Sequence, residues 1–546
     1  MRMIKALYRS TSDRRKAHEV GAAARVEPSS TSPRRIAFDA LFLPLALFVA
    51  SGCERATPPT RAEWRADCAP LSQAAPLSLE AAREAHRVTE RRHEWRLREA
   101  AKPGSFLRAM ESATDPARLA AGEICASDLA GLGQLVFDHE FGFADGLGGG
   151  ESSKGASGPF RRVHEGGFGG PETLSCPSCH WVGGPNGAGV ETDNAFLLGD
   201  GELTESGDER NPPSLVAPGV VEALAREMSR ELAAQRDALV ADAAKAGEAR
   251  EIRLTTKGVD FGVLKIAANG EIDSTGLQGI DADLVVKPFG WKGTLASFTA
   301  FSGEALQVHM GVQAESMLAT SSPDLLGKGP DRDDPDADGK RGELGRGPFA
   351  AMAVHLALLE LPILEPLVQT RRMEAAAQAL LAPTTTSFAE DFRRGRELFH
   401  ALGCAGCHLP KMVLRDPVLK LEGLPPLDLA REMRAPSLRF DAELGGYPVW
   451  LFSDLKRHDM GAANAARHVQ NGVAKGEYLT PRLWGVADSG PWLHDGRAPS
   501  FDYAIAGHGG EGADARTAFA ALEREQQGAL RVYLMSMRRS PRVMVP

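Results

Sequence analysis

The sequence predicts a mainly α chain of two helical domains, with a small β insertion in the first. Three observations point there. Apolar residues recur at helical spacing over several stretches, the pentapeptide Cys-x-x-Cys-His occurs twice, and between the two copies the apolar period changes briefly to two. At 546 residues the chain is long enough for two or three domains, and a hydrophobic content of 43% is ordinary for a globular protein. Its net charge of −9 argues against a nucleic-acid partner.

The pentapeptides are Cys176-Pro177-Ser178-Cys179-His180 and Cys404-Ala405-Gly406-Cys407-His408. Two thiols three positions apart on one helical turn can each form a thioether with a haem vinyl group, and the adjacent imidazole then reaches the iron. Each copy therefore reads as an attachment site for one covalent c-type haem. Cys176, Cys179, Cys404 and Cys407 supply the thioethers, and His180 and His408 the proximal ligands. A zinc site would need the two cysteine pairs to converge on one metal. A thioredoxin-like redox pair would need a βαβ pattern, and neither copy sits in one. Of the seven cysteines, Cys53 lies in a processing signal and Cys68 and Cys125 remain. In an oxidising compartment that even remainder is expected to form a disulfide, the alternative being two buried free thiols.

Residues 1–52 read as an export signal. Arg34-Arg35 precede an apolar run from Leu41 to Val49, too short to span a bilayer and broken by Pro44. Ala50-Ser51-Gly52-Cys53 then has the form of a lipoprotein cleavage site, with Ala50 where Leu is usual. The mature protein is expected on the periplasmic side of a bacterial membrane, lipid-anchored at Cys53, with ordinary signal-peptidase cleavage as the alternative. Covalent haem attachment takes place in the same compartment. Residues 53–115 follow as a tether and a solvated helix over residues 79–101.

Residues 116–375 are expected to be the N-terminal haem domain. A helix covers residues 128–137, and glycine-crowded loops flank the first motif, where backbone passes close to a flat cofactor. Lone His139 and His164 read as surface or core histidines. A long helix over residues 220–251 sets Val220, Leu224, Met228, Leu232 and Leu239 on one face. Ile252, Leu254 and Thr256 then alternate, as do Val259, Phe261 and Val263, and Asn269-Gly270 makes a hairpin turn; this is the β insertion. Helices resume over residues 294–308 and 349–361. Asp334, Asp336 and Asp338 with Gly339 have the alternating carboxylates of a calcium loop. Gly345 stands at the twelfth position and Glu343 falls two places early, so an acidic turn is the alternative. Residues 376–546 are the C-terminal haem domain, opening on a helix over 388–402 with Gly395, Leu398 and Phe399 spaced to pack on the haem turn.

Further segments carry a resemblance. Thr480-Pro481-Arg482-Leu483-Trp484-Gly485, Leu493-His494-Asp495-Gly496-Arg497-Ala498 and His508-Gly509-Gly510-Glu511 resemble the C-terminal domain of the bacterial di-haem oxidoreductase family, sometimes called thiol oxidoreductase. Asp454-Leu455, His458-Asp459-Met460-Gly461, Arg210-Asn211-Pro212-Pro213-Ser214 and Pro288-Phe289-Gly290 look like further family segments, so the likeness runs from about Gly131 to the C-terminus. The family is related to di-haem cytochrome c peroxidases and, more distantly, to haem rubber oxygenases.

The resemblance implies two cytochrome c-like haem domains facing each other, one haem reactive and the other relaying electrons from a small donor protein of cytochrome or cupredoxin type. It places His508 as the second axial ligand of the C-terminal iron, with Met460 as the runner-up. It places His309 and Met310 near the sixth position of the N-terminal haem, where the family bears paired histidines, so Met310 is a departure. Trp181 or Trp291 would stand between the haems. The implied activity is peroxide reduction at the N-terminal haem. A non-catalytic electron-transfer cytochrome and a haem dioxygenase are the alternatives.

Overall fold

The computed structural model describes residues 106–148, 162–165, 171–318, 341–362, 387–433 and 437–539. The export signal, the helix expected over 79–101, Cys53, Cys68, Asp334, Asp336 and Asp338 lie outside them. The chain divides into two units, Met1–Arg55 and Ala56–Pro546, and every described residue belongs to the second. Among the described residues no helix is long and apolar enough to cross a membrane.

The described chain is mainly helical with several small sheets. Helix α1 (Ala126–Phe137) presents Leu129, Leu132 and Val136 to the core. The long helix α2 (Pro218–Ala246) starts on Pro218, which costs nothing in the first turn because its missing N–H would be unpaired there anyway. It stops short of residue 251 because Gly247, at φ 66°, closes it with a left-handed residue. The face expected from the sequence is the buried one: Val220, Leu224, Met228 and Leu232 are fully buried, each adding about 1.5–3 kcal/mol by leaving water.

The β insertion is a three-stranded antiparallel sheet of β1 (Arg250–Thr256), β2 (Val259–Ile266) and β3 (Ile272–Asp273). Lys257 and Gly258, both at positive φ, make the two-residue turn between β1 and β2. Gly270 at φ 85° turns the chain toward β3, as Asn269-Gly270 led one to expect. The sheet is bound to α2 through Gln235 Nε2, which donates to the Thr255 carbonyl at 2.8 Å, and through the ion pair of Lys257 with Glu227.

Helix α3 (Phe298–Ala305) begins four residues later than expected, where the Ser297 hydroxyl accepts the Ala300 N–H at 3.1 Å, and it widens into a π turn over Leu306–Met310. Helix α4 (Arg346–Ala357) crosses α1 so closely that a Cβ on Gly133 would stand 1.9 Å from the Ala351 carbonyl oxygen. Helix α5 (Phe388–Ala401) opens on a capping box, Ser387 with Glu390, and crosses the last helix at Gly395, where a Cβ would meet the Ala529 oxygen at 2.1 Å. Strands β4 (Arg457–Asp459) and β5 (Glu477–Leu479) pair antiparallel. Helices α6 (Phe501–Ala506) and α7 (Arg524–Met535) follow. Phe399, Phe452, Leu530, Tyr533 and Leu534 form a core between α5 and α7, against which Cys404 packs.

The two motif-bearing parts are fastened across their junction. Lys292 is fully buried and gives its ammonium to the carbonyls of Ala474 (3.1 Å), Lys475 (2.7 Å) and Glu477 (2.8 Å). Backbone bonds run from Leu479 N to Trp291 O (3.0 Å) and from Asn211 N to His494 O (2.8 Å). The Lys292 ammonium also lies 3.9 Å from the centre of the Tyr478 ring. A buried cation held in this way fixes both segments, because moving either strands a charge.

Candidate haem-binding site

Each motif is a single tight turn. Cys176–Ser178 forms a 3-10 turn started by Pro177, and Cys404–Cys407 a helical turn entered through Gly403 at φ 84°. The turn brings each histidine amide back onto the first cysteine carbonyl: His180 N to Cys176 O is 3.1 Å and His408 N to Cys404 O is 2.9 Å. All four cysteines are free thiols. Burial raises Cys176 to about 12 and Cys179 and Cys404 to about 11, which keeps these three protonated.

The two histidines are prepared alike. The Nδ1–H of His180 donates to the Gly187 carbonyl at 3.2 Å, and that of His408 to the Phe452 carbonyl at 3.1 Å. Fixing Nδ1 as the donor leaves Nε2 as the lone-pair nitrogen, the arrangement of a metal-ligating imidazole. Burial holds both well below the ordinary value, at about 4, so both are neutral at physiological pH. Cys176, His180, Cys404, Cys407 and His408 all line one cavity of about 390 Å³, so the two motifs open onto a shared, largely apolar space. Free thiol pairs, neutral imidazoles and this cavity fit a pair of covalently held haems.

His508 stands opposite His408. It sits just past the end of α6, where its Nδ1–H donates to the Ala504 carbonyl at 2.8 Å, and it lines the same cavity. The ring centres of His408 and His508 are 6.3 Å apart, inclined at 59°. An imidazole nitrogen lies about 2.0–2.1 Å from a first-row metal ion and roughly 1.1 Å from its own ring centre, so two imidazoles on opposite sides of one ion have centres roughly 6.3 Å apart. At that spacing His408 and His508 could together hold one metal ion. Met460 also lines the cavity, and its carbonyl is tied to the same loop. Asn464 Nδ2 donates to Met460 O at 2.8 Å and to Gly507 O at 2.9 Å, so one amide holds both candidate-ligand loops.

A buried histidine that the sequence gave no role lies beside the second motif. His458 donates from Nε2 to Asp454 at 2.8 Å and from Nδ1 to Glu511 at 2.7 Å, and its Nδ1 is 3.9 Å from Cys407 Sγ. Burial pulls its pKa down, but the hydrogen bonds and charges of Asp454 and of Cys407 as a free thiol outweigh that, and His458 is pushed up to about 11. Its partner Asp454, four residues back, was open to view in the sequence; Glu511 was not.

At the N-terminal motif the residues divide. Met310 lines the cavity, together with Phe301, Ser302, Ala305 and Leu306 of α3 and its π turn. His309 instead engages Glu172 through Nδ1, and the buried His164 donates to the other oxygen of Glu172 at 3.0 Å. Burial would raise the Glu172 carboxyl, but His309 and His164 hold it down at about 2. His164, fully buried as a core histidine, thus belongs to a cluster drawn from three segments. Trp291 lines the cavity with its indole N–H on the Asn211 carbonyl at 2.8 Å. Trp181 does not stand between the motifs: it is 53% exposed and donates to Asp193 at 3.0 Å. The bridge of Val182 with Ala188 folds the chain back after His180 and leaves Trp181 outside.

These features place two Cys-x-x-Cys-His turns, with their histidines, at one shared cavity. Residues 373–537, which carry the second motif, match the family model "Di-haem oxidoreductase, putative peroxidase". Among solved structures, a hydrazine synthase of Kuenenia stuttgartiensis pressurised with xenon is similar at 15% identity, over 75% of this chain and 87% of that one, with a TM-score of 0.28. No curated protein matches the chain.

Proposed function

We propose that the chain is a periplasmic, lipid-anchored di-haem cytochrome, with cytochrome c-like haem segments, that reduces hydrogen peroxide. Its N-terminal haem is the reactive one, and its C-terminal haem relays electrons from a small donor protein. The observation that supports this division of labour is the His408–His508 spacing. Two imidazoles at that distance could both hold one haem, which would leave the haem held by His180 as the one open to a small oxidant. When bound, the haems would supply the iron at which peroxide takes up electrons and the store from which those electrons come.

The chain does the rest. Gly187 and Phe452 carbonyls orient the proximal imidazoles, Asn464 holds the His508 loop, and the aromatic wall at Trp291 offers a path between the two motifs. Cys125 is disulfide-bonded, which agrees with an oxidising compartment.

The test supplies reduced donor protein and peroxide to the holoprotein. Each peroxide should oxidise two equivalents of donor, two electrons and two protons giving two waters. The apolar wall that α3 presents beside Met310 favours a second reading, oxygen-dependent cleavage of an apolar alkene. Oxygen uptake with alkene but no donor oxidation by peroxide would establish that one. Neither activity would leave an electron-transfer cytochrome.

A further inference from the structure

We propose that Arg482 is the carboxylate-binding residue of the cavity and the counter-ion of a haem propionate at the junction of the two motif-bearing parts. This rests on the haem reading of the site.

Arg482 lines the cavity, in a segment whose backbone is fixed on both sides: Thr480 N donates to Lys456 O at 3.0 Å and Leu483 N to Leu451 O at 3.2 Å. Its guanidinium has five N–H donors. Among the described residues one of them is engaged, Nη1 on the Pro288 carbonyl at 3.3 Å, and no carboxylate forms an ion pair with it. Two other cations at this junction have partners that Arg482 lacks: Arg457 pairs with Asp281, and Lys292 has its three carbonyls. Burial alone pushes Arg482 down to about 10, with no acid nearby to restore it.

Arg482 is half-buried on a mostly apolar wall without a counter-charge, where an anion would stabilise it, and its planar fork suits a carboxylate taken in two parallel bonds. The cavity wall is mostly apolar, and the charged groups a haem brings into it are its two propionates. The alternative source of the same chemistry is a carboxylate-bearing substrate. Because Nη1 already holds Pro288, three residues before Trp291, the bound anion would sit where the two haem segments meet.

A fixed cation beside a propionate favours the reduced, more negative haem, so its loss lowers the midpoint potential. The experiment is potentiometric titration of the full-length holoprotein, without substrate, for wild type, Arg482→Met and Arg482→Lys, with haem content measured in each. The thioethers should keep two haems in both variants. Arg482→Met should lower one of the two potentials by at least a tenfold change in the oxidised-to-reduced ratio, about 59 mV for one electron. Arg482→Lys, which keeps the charge and loses the fork, should fall between and remains informative if Arg482→Met does not assemble. Unchanged potentials in both variants would overturn the proposal; if benzoate binding to the cavity were lost at the same time, the anion Arg482 takes is a substrate carboxylate. A wild-type protein holding no haem would instead remove the reading on which the proposal rests.

Discussion

Replacing His508 by Gly is expected to convert one of the two haems, and only one, from low-spin to high-spin. His508 spends Nδ1 on Ala504, so Nε2 is the nitrogen left for iron, and its ring centre stands at the axial-pair distance from His408. Nothing in the variant's backbone needs to move, since Gly507 and Met460 stay tied through Asn464. Electronic and electron paramagnetic resonance spectra of the oxidised protein would show the change, and added imidazole should reverse it. Electron delivery should fail while the His180 haem still reacts with a first equivalent of peroxide. If the conversion follows Met460→Ala instead, Met460 is the ligand. If neither substitution matters, the order of roles between the two segments is reversed.

Cys404→Ser with Cys407→Ser should remove one covalently held haem, as should Cys176→Ser with Cys179→Ser, and all four substitutions together should remove both. Each motif has its own pair of free thiols, of which Cys176, Cys404 and Cys407 line one cavity, and none of the four is in a disulfide. Haem staining after denaturing electrophoresis and intact mass read the result directly. The wild type should gain the mass of two haems and each double variant that of one. A wild type with one haem, or stain lost on acid extraction, would contradict covalent attachment at both motifs.

What could be read from the sequence was what is local. The motifs, the apolar face of α2 and the alternation of β1 and β2 depend on neighbours within a few turns, and they appear where expected except past Phe261, where the irregular pairing at Arg253–Thr255 shifts the buried face from Val263 to Leu264 and Ile266. Helix ends shifted by a few residues, because capping by Ser297 and Gly247 decides them rather than the apolar period. What could not be read was convergence of distant segments. His164 acquires its meaning from Glu172 and His309, and His458 from Glu511, only once the loops are folded together. The same reason separates the two tryptophans. Trp181 adjoins His180 in sequence and faces out, whereas Trp291 is far along the chain and lines the cavity. His309 and Met310, adjacent on the π turn, part company because successive helical residues point in different directions.

The central claim is that the two irons differ, one closed between His408 and His508 and the other able to take a small oxidant. The electron paramagnetic resonance spectrum of the oxidised wild-type holoprotein tests it most directly. One low-spin signal with two imidazole ligands and one high-spin signal, in equal amounts, is the predicted result. Two low-spin signals would contradict it and leave the protein as a relay with no open iron.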